Sequence, residues 1–172
     1  FSRGEVLLPL NVISSIWCWF GTASGPSVRS AWILSFASMA EGSVSFKKRM
    51  QIRWADIDAN IHMRHSVYYE LCAEMRMGML KEVGLTMTKM QEIRTLPIIF
   101  REECKFLREI QHEDEIEVDV AICKLSKDYR KFSFRHRFTR GEELCAVSEM
   151  DGAWMDHTVR KIAIPPQVTI DS

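Results

Sequence analysis

From Ser45 onward the apolar positions follow two periods in turn. In Phe46–Trp54, Phe46, Met50, Ile52 and Trp54 share one side while Lys47, Arg49, Gln51 and Arg53 share the other. A period of two puts those sets on opposite faces of a half-buried strand. From Ser66 to about Val83 the period lengthens, and Tyr68, Leu71, Cys72, Met75, Met79 and Val83 recur at helical spacing as one apolar stripe. Ser66 is placed to be the N-cap, Glu70 lies near the positive end of the helix, and Gly84 is placed to stop it.

Alternation then returns. Pro97 to Leu107 puts Ile98, Phe100, Cys104 and Phe106 on one side, and Glu115 to Cys123 sets Ile116, Val118, Val120 and Ile122 against Glu115, Glu117 and Asp119. Phe132 to Phe138 sets Phe132, Phe134 and Phe138 against Ser133, Arg135 and Arg137. Leu144 to Met155 is apolar on both faces, as a central strand would be. Ser126-Lys127-Asp128 and Arg140-Gly141-Glu142 are polar turns suited to antiparallel hairpins. The acidic outer face of one strand can pair with the basic outer face of the next. The order is strand, long helix, then four strands as a meander: an α+β domain with one helix against one face of an antiparallel sheet. A second copy of the chain is the simplest cover for the sheet's remaining surface and edges.

Composition changes near residue 40. Residues 1–38 carry only Arg3, Glu5 and Arg29 as charged side chains and hold no clean period. The expected organisation is an apolar leader over 1–44, poorly ordered or non-native, a domain over 45–168 and a tail over 169–172. Met39 is a plausible start of translation, since the chain opens on Phe1. Arg29 followed by Ala31–Phe36 and Ala37-Ser38-Met39-Ala40 loosely imitates a targeting segment. No apolar run reaches the roughly 18 residues of a membrane-spanning helix.

Over the whole chain of 172 residues, 23 basic side chains balance 23 acidic ones, which argues against a nucleic-acid partner. The five cysteines are odd in number and lack a CxxC pair, so a disulfide framework and a zinc knuckle are both unsupported. Reduced thiols in a cytoplasmic setting are the expectation.

The chemistry concentrates between the first strand and the helix, where Asp56, Asp58, Asn60, His62 and His65 fall within ten residues. A carboxylate there can serve as general base or nucleophile, and the helix start supplies unpaired N–H groups for a developing oxyanion. Asp56 reads better as an organiser of the loop. A metal set of Asp58, His62 and His65 is a rival reading, but no HExxH or cysteine pair supports it.

The run Trp54-x-Asp56-x-Asp58-x-Asn60-x-His62, followed by Tyr68 or Tyr69 and an amphipathic helix, resembles the hotdog-fold thioesterases, of the 4-hydroxybenzoyl-CoA and acyl-carrier-protein types. The resemblance covers about residues 46–166, including Arg160-Lys161-x-x-x-Pro165-Pro166. It implies a sheet of about five strands wrapped around one long central helix, and hydrolysis of an acyl-CoA or acyl-carrier-protein thioester. No metal or organic cofactor is implied, and the expected assembly is a homodimer or homotetramer.

Family roles carry over as follows: Asp58 as base or nucleophile, Asn60 and His62 as positioning groups, the amide near His65 as oxyanion donor, and Glu103 beside Cys104 as a further catalytic pair. Relatives often have glycine where this chain has Ile61, and asparagines where it has Arg64 and His65. Cys104, on the side of Phe100 and Phe106, reads better as a packing thiol, and Glu103, which points to the other side, reads equally as a surface charge. Lys127, Arg130, Lys131 and Arg160 are candidates for coenzyme A phosphates. Two other functions stay open on the same fold: a non-catalytic acyl-CoA-binding module, and a hydratase or dehydratase.

Overall fold

The computed structural model describes residues 44–164. The leader through residue 43, the Pro165-Pro166 stretch and the tail lie outside the described residues.

The described residues form six strands and two helices: β1 (Val44–Gln51), α1 (His65–Glu82), α2 (Met87–Glu92), β2 (Thr95–Phe106), β3 (Glu115–Leu125), β4 (Lys131–Arg140), β5 (Glu143–Asp156) and the two-residue β6 (Lys161–Ile162). All pairings are antiparallel and the sheet order is β1-β3-β4-β5-β2, with β6 on β5. Only β3-β4-β5 is a true meander. The excursion through α1 and α2 carries the chain from one edge of the sheet to the other, so β2 pairs with β5 rather than β3. The sheet curls against α1, which rests mainly on β3 and β1 and more lightly on β5.

Alternation decides what faces the helix. Ile116, Val118, Val120 and Ile122 are buried in β3, as are Phe132, Phe134, His136 and Phe138 in β4. Their outward neighbours pair as the charge pattern requires: Asp119 lies opposite Arg137 and bridges it at 2.6 Å. Gly141 takes a positive φ of 60° in the β4–β5 turn, where glycine has no steric cost. At Gly152 a side chain would meet the Ile98 carbonyl oxygen at 2.6 Å, so glycine permits the close approach of β2 to β5.

Four details depart from the sequence expectation. The first strand ends at Gln51, and Trp54, expected inside, sits in a 3-10 turn at 75% exposure with its ring edge-on to His112. The long helix begins at His65, and its N-cap is Arg64 rather than Ser66; no side chain caps it. The short helix α2, capped by the Thr86 hydroxyl, is an addition. Strand β2 carries a bulge between Ile99 and Arg101. Pro97 and Ile99 therefore join Glu102, Cys104 and Phe106 opposite the inward row of β5, while Phe100 stands 56% exposed.

Candidate active site

The loop from Trp54 to Arg64 is built on Asp56. Its carboxylate receives the Arg53 backbone N–H at 3.0 Å and the Arg53 guanidinium at 2.9 and 2.7 Å, and its carbonyl accepts from the Arg64 N–H at 2.8 Å. The guanidinium holds this buried carboxyl below the usual carboxylate range. Asp56 is thus the structural organiser that turns the chain out of β1 and aims it at α1.

Inside that frame Asp58 and His62 form a small closed loop, with Asp58 N–H donating to the His62 carbonyl at 2.9 Å and Ile61 N–H to the Asp58 carbonyl at 3.0 Å. Asp58 Oδ1 accepts from the Asn60 N–H at 2.8 Å and, more weakly, from the His62 N–H at 3.5 Å. Its Oδ2 has no hydrogen bond to the described residues. Ile61 takes φ of 66°, a left-handed conformation that is costly for a β-branched residue. A second loop closes on the first: Met63 N–H donates to the Ile110 carbonyl at 2.7 Å, and His62 bridges Gln111.

Between the two loops and the start of α1 lies an open cleft of about 320 Å³ lined by Asp58, His62, Met63, His65, Tyr68 and Phe106 to Glu109. His62 Nε2 stands 3.0 Å from Glu109 Oε2. The buried Tyr68 ring packs edge-on to Phe106 with centroids 4.8 Å apart, and burial raises its phenol to about 12. At the helix start Val67 N–H turns back to the Arg64 carbonyl, and the two amides before it, His65 and Ser66, have no backbone acceptor and no capping side chain.

The chain matches the Thioesterase-like superfamily over residues 52–170. It belongs to that superfamily. No curated protein matches the sequence. Among solved structures, a 1,4-dihydroxy-2-naphthoyl-CoA thioesterase from Synechocystis superposes with a TM-score of 0.64 at 18% identity, covering 71% of this chain and 90% of that one. A Staphylococcus aureus protein in complex with CoA gives 0.66 at 16% identity, covering 74% and 81%. A gentisyl-coenzyme A thioesterase gives 0.64 at 17% identity, covering 70% and 96%. At these identities the likeness establishes the hotdog fold: the curled antiparallel sheet with one long helix.

Of the residues singled out in the sequence, Asp58, His62 and His65 meet at the cleft. Asn60 is exposed and contributes its backbone N–H. Glu103 does not line this cleft. It is exposed on the outer face of β2, paired with Arg101, because strand alternation turns it away when Cys104 turns inward. Lys127, Arg130 and Lys131, at the β3–β4 turn, and Arg160, at the β5–β6 turn, lie at the far end of the sheet from the cleft. A single chain therefore does not bring these cations to Asp58. Glu109 escaped the sequence reading, since nothing in Leu107-Arg108-Glu109 signals that this loop folds onto His62. Among the described residues no cluster of histidine, cysteine, aspartate and glutamate is arranged to hold a metal ion.

Proposed function

We propose that the protein hydrolyses an acyl-CoA or acyl-carrier-protein thioester to a carboxylic acid and a free thiol. The observation that carries this reading is that the Asp58 carboxylate and the uncapped first turn of α1 line the same cleft. Oδ1 is tied to the loop, so Oδ2 is the oxygen left to act. It takes a proton from water as the water oxygen bonds the carbonyl carbon. The N–H groups of His65 and Ser66 receive the oxyanion. On collapse the C–S bond breaks, and the proton held on Asp58 goes to the departing thiolate, restoring the carboxylate. Glu109 orients the His62 ring at the mouth of the cleft, where the thiol side of the substrate would pass. The two coenzyme A thioesterases and the CoA-bound protein among the structural neighbours favour a CoA ester.

The assembly belongs to the same proposal. β2 is an edge strand of 12 residues, and Ile99 and Phe100 on it are exposed. A long apolar edge asks for a partner strand, and a second copy supplies one.

Thiol release from aromatic, short and long acyl-CoAs tests the activity. Wild-type turnover that drops by about a hundredfold or more in a folded Asp58→Asn variant is the expected result. Saturable binding without thiol release would leave a binding module instead.

A further inference from the structure

Beyond the cleft, α1 and β2 run antiparallel and face each other in three successive rungs. Tyr68 meets Phe106 at the cleft. One helical turn on, Cys72 faces Cys104, with the Ser148 hydroxyl against the Cys72 thiol. One turn further, Arg76 Nη1 donates to Glu102 Oε1 at 2.6 Å. The match is geometric: eight residues of helix and four of strand each advance about 12–13 Å.

The third rung is unlike the others. Arg76 is 7% exposed, and its Nη1 also stands 3.3 Å from His136 Nε2. His136 Nδ1–H donates to the Asp119 carbonyl at 3.1 Å, so the fully buried ring is neutral and its Nε2 accepts from Arg76. A buried ion pair of this kind is a poor source of stability, because desolvation offsets the attraction. It is, however, a wall that alkyl groups do not displace. The first two rungs are softer: Cys104 is only half-buried, and Phe106 is 51% exposed at the end of its strand.

We propose that the seam between α1 and β2 receives the acyl group through the Tyr68–Phe106 rung and that the Arg76–Glu102 pair ends it, setting the acyl length the protein accepts. This rests on the hydrolytic reading above. An acyl chain entering past Phe106 runs along Cys72 and Cys104 and stops about 12 Å further on, at the two charges. Arg76 and Glu102 are then specificity determinants, and no proton or bond change passes through them.

The test is thiol release from acetyl-, hexanoyl-, decanoyl- and palmitoyl-CoA by the full chain. In the double variant Arg76→Met/Glu102→Leu, an apolar pair replaces the wall, a change that buried ion pairs commonly tolerate in stability. The expected result is a palmitoyl-to-hexanoyl ratio of kcat/KM raised at least about tenfold. Cys104→Leu, which fills the middle rung, shifts the profile the opposite way and lowers the decanoyl-to-hexanoyl ratio. Opposite shifts from one seam are not produced by general destabilisation, and circular dichroism confirms that each variant is folded. Thiol release with length profiles that superpose on wild type overturns this inference and leaves hydrolysis standing. No thiol release from any ester overturns both.

Discussion

The two flanks of α1 are built for different purposes. On the β1–β3 flank the helix side chains Met75 and Met79 and the strand side chains Ile116, Val118 and Ile122 are buried almost without residue. On the β2 flank the contacts are one aromatic pair, two thiols and one ion pair, and Cys104 and Phe106 retain solvent access. The first flank is a close-packed interior that resists change; the second is partly exposed on its strand side and meets the cleft at Tyr68 and Phe106. On the proposed reading, stability and activity are separated across the width of one helix.

Substitutions can break that separation. Phe138→Ala, deep in the row that also holds Val118, should cost about 3–5 kcal/mol in urea denaturation, the largest stability loss expected here. A cost near zero would mean that the interior between α1 and the sheet is not packed as described. Asp58→Asn should do the reverse, removing most turnover, worth about 3 kcal/mol in the barrier, while the denaturation midpoint stays within error.

The buried His136 lies between the flanks and predicts a pH dependence. Burial, followed by the Arg76 charge, lowers its pKa from 6.5 to about 3. The unfolded chain therefore binds this proton first. Stability is fully present above pH 6.5 and falls as the pH drops from 6.5 towards 3, by up to several kcal/mol. Asp56 and Asp151, whose pKa values are lowered from 3.8 by Arg53 and Ser133 respectively, lose their contribution only as the pH falls below 3.8. Denaturation midpoints between pH 4 and 6.5 should then slope in the wild type and flatten in His136→Gln. Parallel slopes would assign the effect to other groups.

Phe106→Ala, on the open flank, should cost no more than about 1 kcal/mol, because half of that ring already faces solvent. The smallest effect is expected at Ile61, which is 67% exposed at positive φ. Ile61→Gly should raise stability by about 0.5–1 kcal/mol, since the strain relieved exceeds the entropy glycine loses. A loss of stability there would show that the isoleucine side chain makes a contact in the assembled protein.

What the sequence determined by itself is whatever depends on near neighbours. Strand alternation in β3 and β4, the stripe on α1 and the positive φ at Gly84 are consequences of local periodicity and backbone freedom, and they were legible. The loop motif was legible too, because its bonds are local: Asp56 bonds to Arg53 and Arg64, and Asp58 to His62. The tertiary structure alone decided the rest. The bulge at Phe100 reverses which β2 residues face inward, and it arises from pairing with β5, some fifty residues away. Arg76 shares the buried side of α1 with Cys72 and Met79, although a charged side chain is ordinarily exposed; Glu102 and His136, brought in from two other strands, make its burial tolerable. Glu109 reaches His62 because two loops at one end of the sheet close on each other. Periodicity is a property of a segment, but the partner that neutralises a buried charge or orients a ring comes from elsewhere in the chain, and the fold alone brings it there.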